Sequence, residues 1–210
     1  DQKDFLKFKK HPIIKKNYKA IKDKKFKLTS HHLSKGEIIF FCKGRMEFGQ
    51  RALGHRSILC DPSNVQSVYR INSAIKKRDF WMPFTPSILA NYKNRYFKNP
   101  KKNNCNFMTM SFDTTDLGRK HLKAAIHPYD NTVRPQLVTK KTCKDYFTLI
   151  NEFKKRTGIG ALLNTSLNVH DKPIICQPTD LIKELIVNKN TSANFIYVED
   201  TLFVKKRYRY

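Results

Sequence analysis

Residues 36–61 read GEIIFFCKGRMEFGQRALGHRSILCD, and this stretch sets the architecture. An unbroken apolar run, 38–42, and a second, 58–60, flank a loop in which Gly44, Gly49 and Gly54 recur every five residues. A strand apolar on both sides suits a position well inside a sheet. The loop between the strands carries Arg45, Glu47, Arg51 and Arg56. Glycines let backbone N–H groups approach an anion closely, and guanidinium forks match phosphate oxygens two at a time. The pattern is neither a Walker A loop, which would end in Gly-Lys-Ser/Thr, nor G-x-G-x-x-G. Arg45 and Glu47, two apart, point the same way on an extended backbone. An exposed loop with an Arg–Glu pair fits these residues equally well.

Outward from this core the elements alternate. Before it, 29–36 reads as a short helix capped by Thr29 or Ser30 and ended by Gly36. After it, 62–77 forms a helix with Val65, Val68, Ile71 and Ile75 on one face. Residues 79–89 are extended, and Pro83 and Pro86 suit an edge or irregular strand. Residues 91–104 form a polar surface excursion, and 106–112 alternates as a strand should. A short helix within 114–127 precedes a polar stretch whose end, near 136–138, is a strand. An amphipathic helix over 144–158 turns Tyr146, Phe147, Ile150 and Phe153 inward and stops at Gly158. A buried strand, 159–164, runs into a polar turn. Residues 177–188 form a helix with Pro178 at its start, and 194–206 one or two strands. The sum is a single α/β layer fold with a mixed sheet, residues 29–210, preceded by a basic arm or linker, residues 1–28.

Forty-two Lys and Arg against 17 Asp and Glu give a formal charge of +25 in 210 residues. Nucleic acid is the first partner such a charge suggests. Lysines, however, crowd residues 3–27 while arginine dominates the central loop, and solvated lysine faces are the favoured reading. No apolar run approaches the roughly 18 residues of a membrane span, and no signal peptide opens the chain. The first residue is Asp1 rather than Met, which reads as a cut upstream. Five scattered cysteines without a CxxC pair point to a reducing cytosol, with the thiols as small buried hydrophobes.

Three further clusters carry chemistry. In KKRDFW (76–81), Lys76 and Lys77 suit a helix C-terminus, and Arg78 stands beside aromatic rings. In HPYDNTVRPQ (127–136), His127 and Asp130 could be a base and its orienting carboxylate. An Asx-type turn at Asp130 explains the same residues. In LLNTSLN (162–168), a buried strand delivers Asn164, Thr165, Ser166 and Asn168 at its end, where open α/β sheets bind ligands. No Cys or Ser has an obvious adjacent base, so covalent catalysis is not signalled. Arginines, amides and glycine turns suggest phosphate binding by positioning and electrostatics.

Taken in order, GRMEFGQRALGHRSIL, PFTPSIL, HPYDNTVRPQ, LLNTSLN and KPIICQPTDLI resemble the C-terminal domain of the nodulation-type O-carbamoyltransferases, from about residue 30 to 206. The resemblance implies a YrdC-like fold: a twisted mixed sheet with flanking helices and a basic concave cavity. It implies that ATP, with Mg²⁺, and carbamoyl phosphate become carbamoyl-adenylate there, carbamate attacking the α-phosphate. A larger N-terminal domain holding iron, in cis or in trans, would then pass the carbamoyl group to a hydroxyl; this chain shows no counterpart of it. By position, Arg45, Arg78 and Arg134 would hold phosphate oxygens, Arg45 and Arg134 neutralising developing charge. Asn164 would bind nucleotide or carbamoyl phosphate, with Glu47, Arg51, Arg56, His127, Asp130 and Ser166 around it, and His127 would take part in the chemistry. No metal-ligand set is expected in this chain. The sequence departs from the family pattern at Gln50, His55, Met82, Asn131, Leu167 and Lys172. The alternatives are a basic nucleic-acid-binding module and a non-catalytic docking relic.

Overall fold

Ile39 and Phe41 point into one core and Phe40 and Cys42 into another, which is why residues 39–42 are apolar without a break. They form strand β2 (Ile39–Cys42), buried at every position. The fold is that of a computed structural model that describes residues 2–76, 82–99, 101–169, 171–186 and 194–208. In chain order the remaining strands are β1 (Tyr18–Lys22), β3 (Arg56–Cys60), β4 (Thr85–Leu89), β5 (Phe112–Asp113), β6 (Thr132–Val133), β7 (Gln136–Val138), β8 (Ala161–Ser166), β9 (Phe195–Val198) and β10 (Thr201–Lys205). Eight of them form one mixed sheet in the order β1-β10-β9-β2-β3-β8-β4-β7, and β5 pairs with β6 apart from it. Pairs β2–β9 and β4–β7 run parallel, and the other pairs of the large sheet antiparallel.

Helices cover both faces. One face receives α3 (Lys27–Ser34) and α7 (Lys144–Thr157), through Leu33, Tyr146, Leu149, Ile150 and Phe153. The other receives α1 (Gln2–Lys10), α2 (Pro12–Asn17) and α4 (Val65–Ile71), through Phe8, Ile14 and Ile71. The short α5 (Lys93–Tyr96) and α6 (Asp116–His121) pack beside the first group. The expected mixed α/β sheet with flanking helices is the one observed.

Several local expectations change. Residues 2–22, read as a basic arm or linker, are packed: β1 pairs with β10 from Tyr18–Lys205 to Lys22–Thr201. Phe8 is fully buried and meets the Phe203 ring edge-on at 5.2 Å between centroids. The periodicity was weak because these helices are only nine and six residues long and touch the sheet at few positions. Lys19 and Lys22 lie on the edge strand, where charge discourages pairing with another chain.

Helix α3 starts earlier than expected, and Thr29 does not cap it. Asp23 does: its carboxylate accepts from Leu28 N at 3.2 Å, Thr29 N at 2.8 Å and Thr29 Oγ1 at 2.8 Å. Strand β4 is not an edge, because β7 covers it. The β7 ladder begins at Ser87, past Pro86, so the missing N–H leaves it intact. Residues 106–111 form no strand. Met108 there has a left-handed backbone at φ 56° and is buried, so the alternation reflects one inserted side chain, not a pleat. Finally, 72–76 and 182–186 are single π-helical turns rather than continued α-helix.

Candidate functional site

The glycine loop 44–55 between β2 and β3 is fixed from two sides. Its N–H groups are gathered by Glu47, whose Oε1 accepts from Leu53 N at 2.7 Å, His55 N at 2.8 Å and Arg56 N at 3.2 Å. Burial pushes the Glu47 carboxyl up, but His55 and these amides outweigh it and hold the group at about 2. Its carbonyls are latched from the sheet. Asn164 Nδ2 donates to Ala52 O at 2.9 Å, and Gln136 Nε2 donates to Leu53 O at 2.7 Å. Ser87 links the two latches, donating to Gln136 Oε1 at 2.7 Å and accepting from Asn164 Nδ2 at 3.0 Å. Gly54 sits at φ 104°, where a Cβ would meet the Tyr146 ring at 2.2 Å, so this turn requires glycine.

The latched loop closes a small cavity of about 90 Å³ at the ends of β4 and β8. Arg51, Arg134, Asn164 and Ser166 all line it, with Gln50, Thr85 and Thr165. No carboxylate is among the lining residues. Arg134 Nε and Asn164 Oδ1 are buried without a hydrogen-bond partner in the protein. Burial, and then the charge of Arg51, push the Arg134 guanidinium below its ordinary range. Two cations, an unpaired N–H and a free amide oxygen form a site that an anion bearing a hydrogen-bond donor would satisfy.

Lys76 is a residue whose role the sequence did not signal. A helix C-terminus explained it, yet the π-turn at 72–76 carries it into the interior, where it is 3% exposed. Its Nζ donates to Ser166 Oγ at 3.0 Å and also contacts Ser166 O and Asn168 Oδ1. A third cation thus stands behind Ser166 at the cavity wall. Ser87 was missed too: a buried serine inside an apolar strand is the trace it leaves in the sequence.

Other expected residues lie apart. Arg45 lines a larger cavity of about 1180 Å³, with Lys9, Lys22 and Lys24 but also Glu199 and Asp200. Arg56 is buried and donates to Cys176 O at 3.0 Å and His55 O at 3.0 Å, so its guanidinium is occupied by backbone. Glu47 serves the loop rather than facing the cavity. Arg78 lies outside the described residues.

His127 and Asp130 are paired, Nδ1 to Oδ1 at 3.2 Å, while Asp130 also accepts from Thr132 N at 2.8 Å. Base pair and Asx-type turn are therefore both present, and that backbone bond first of all holds the Asp130 carboxyl below its ordinary range. Asn131 tolerates φ 57° at the turn. His127 lines an apolar cavity of about 870 Å³ with Tyr69, Met82 and Tyr129, and this cavity shares Pro83 and Phe84 with the small polar one. Of the five cysteines, Cys42, Cys60 and Cys105 are buried as expected, but Cys143 is half-buried and Cys176 exposed. Among the described residues no cluster of His, Cys, Asp and Glu could hold a metal ion, and no helix is long and apolar enough to cross a membrane.

The family model described as carbamoyltransferase C-terminus matches residues 30–205. The nodulation protein NolNO of Sinorhizobium fredii is 39% identical over 151 residues, covering 71% of this chain and 22% of its own. A 3'-hydroxymethylcephem-O-carbamoyltransferase of Streptomyces clavuligerus is 28% identical over 158 residues, covering 73% and 28%. The chain spans between 22% and 34% of the length of the curated relatives it matches. Among solved structures, full-length HypF in its phosphate- and nucleotide-bound form superimposes with a TM-score of 0.58 at 15% identity, over 90% of this chain and 22% of that one. The shared fold is the YrdC-like one.

Proposed function

This chain belongs to the carbamoyltransferase C-terminal family, and on that premise we propose that it binds ATP and carbamoyl phosphate and forms carbamoyl-adenylate. The observation that carries this reading is the pairing of Arg51 and Arg134 on a cavity with no carboxylate, where Arg134 Nε and Asn164 Oδ1 are buried and unpaired. Two like charges on one cavity repel, most strongly on the half-buried Arg134, and an anion between them removes that repulsion, so the arrangement favours negative charge. A phosphate group fits a cavity of about 90 Å³. The adjoining apolar cavity, with the Tyr69 and Tyr129 rings, is the place for the purine, because Pro83 and Phe84 wall both spaces.

In this reading water releases phosphate from carbamoyl phosphate and leaves carbamate. A carbamate oxygen bonds to the α-phosphorus of ATP as the bond to the β-phosphate oxygen breaks, and pyrophosphate departs. Arg51 and Arg134 stabilise the growing charge, Asn164 Oδ1 accepts from the carbamoyl NH₂, and Lys76 holds Ser166 in place. His127, set by Asp130, is the group available for proton transfer in the apolar cavity. Mg²⁺ enters as the ion carried by the nucleotide, since the cavity offers cations and amides, not carboxylates. Transfer to a hydroxyl acceptor belongs to a further domain, in cis or in trans, of the kind the longer relatives have room for.

The test is pyrophosphate release measured with Mg–ATP, with and without carbamoyl phosphate, in the parent and in Arg134→Met. Release that requires carbamoyl phosphate and disappears in the variant supports the reading. Protein that binds both ligands but releases no pyrophosphate overturns it. Salt-sensitive RNA binding that ATP does not affect would favour the nucleic-acid alternative instead.

A further inference from the structure

Glu47 and His55, both of the glycine loop, and Cys143, at the start of α7, form a thiol–imidazole–carboxylate row. Cys143 Sγ lies 3.8 Å from His55 Nε2, and His55 Nδ1 lies 3.8 Å from Glu47 Oε1. The sequence gives Cys143 no neighbouring base, because His55 is 88 residues away. The fold supplies it. Glu47 cannot swing off, since the same oxygen is pinned by three loop amides.

The surroundings favour a reactive sulfur. Cys143 is half-buried at the N-cap of the 14-residue helix α7 and makes no side-chain cap bond. Partial positive charge at that helix end and a neighbouring imidazole are what raise thiol reactivity. Charged neighbours include Lys144, next in the chain, and Lys43, which pairs with Asp200 at 2.8 Å and Asp145 at 3.5 Å; the Tyr146 phenol is buried. The Cys143 sulfur, then the Glu47 carboxylate at ion-pair distance, push His55 up to about 9 against burial, so the imidazole is basic enough to take the thiol proton. Cys42 and Cys60 show the opposite setting, where burial pushes the thiol up to about 12.

We propose that Cys143 is a modification site, a nucleophilic thiol activated by His55 and oriented through Glu47, that takes an electrophile of the hydroperoxide class. His55 Nε2 takes the proton from Sγ, and the sulfur attacks one peroxide oxygen. The S–O bond forms as the O–O bond breaks, and sulfur gives up two electrons to become a sulfenic acid. The departing hydroxide leaves as water with the proton from His55.

The exposed Cys176 is the internal control. The full chain is treated with hydrogen peroxide and a dimedone trap at about pH 6, where roughly 1% or less of an ordinary thiol is ionised. Labelling of each cysteine is timed by peptide mass spectrometry. Cys143 is expected to be labelled at least about tenfold faster than Cys176, with a rate that changes little up to about pH 8. In His55→Asn, checked for folding by circular dichroism, the ratio should fall to about one. Labelling of Cys143 no faster than Cys176 in the unaltered protein overturns the proposal, and this reading needs no variant. An unchanged ratio in a folded His55→Asn overturns the role of the imidazole and the proposal with it.

Discussion

Arg51 and Arg134 line one small cavity that holds no carboxylate, and the charge of Arg51 helps push the Arg134 guanidinium below its ordinary range. The two cations destabilise each other until an anion arrives. Removing one should therefore cost the free protein little while removing its response to ligand. ATP at about one hundred times its Kd should stabilise the parent by about 2.7 kcal/mol. For a chain of this size that corresponds to roughly 5–10 °C in Tm. Arg134→Met should melt at or above the parent temperature without ATP and shift by less than about 2 °C with it. Scanning calorimetry with and without ATP decides; an equal shift in both proteins would take Arg134 out of the site.

Glu47 ties the loop, and its effect should appear as a pH dependence. A carboxyl held at about 2 in the fold, against an ordinary value of 4.5, adds stability that is fully present above the ordinary value. That stability is lost as pH falls from about 4.5 through about 2. It amounts to about 3 kcal/mol. His55 acts with the opposite sign. Raised from 6.5 to about 9, it adds stability present below 6.5 and lost as pH rises through about 9. Urea midpoints across this range should show a plateau between the two limbs. Glu47→Gln should remove the acid limb and reduce the alkaline one, whose larger part comes from Cys143; a parent-like profile in that variant would contradict the geometry.

Asp23 starts α3 from outside the helix, through three hydrogen bonds to residues 28 and 29. Asp23→Ala leaves those donors without their acceptor and should cost about 2 kcal/mol. Asp23→Asn, which keeps an oxygen, should recover part of that loss. Chemical denaturation of the three proteins orders them, and Ala and Asn variants of equal stability would mean the cap contributes little.

Phe8 anchors the N-terminal helices onto Phe203 of β10. Phe8→Ala should cost about 3–4 kcal/mol, as for a buried aromatic side chain. Deleting residues 1–22 removes β1 and bares the β10 edge, so the shortened chain should self-associate. Gel filtration and light scattering check this; a monodisperse monomer of parent-like stability would show that the N-terminal segment is dispensable to the sheet.

The fold was legible where apolar periodicity was strong. Residues 39–42 announced an inner strand and 161–164 a buried one because both faces are covered, and α7 announced itself through its inward stripe. The weak places were those where a few contacts made at long range decide the structure. Residues 2–22 offered little pattern, since β1 exists by virtue of β10, some 180 residues later. Met108 and the π-turn at 72–76 obey tertiary packing rather than local preference.

By itself the sequence determined the layer order of α and β elements, the family and the supply of guanidinium and amide groups for an anion. It did so because strand burial and motif spacing are local properties of the chain. Only the tertiary structure decided which of those groups meet. Arg51, Arg134, Asn164 and Ser166 converge while Arg45 and Arg56 turn elsewhere, and Lys76 moves from a helix end to a buried place behind Ser166. His55 becomes the partner of Cys143 across 88 residues. Side-chain direction depends on strand register and on how Glu47, Gln136 and Asn164 fold one glycine loop, and those bonds exist only once the sheet is assembled.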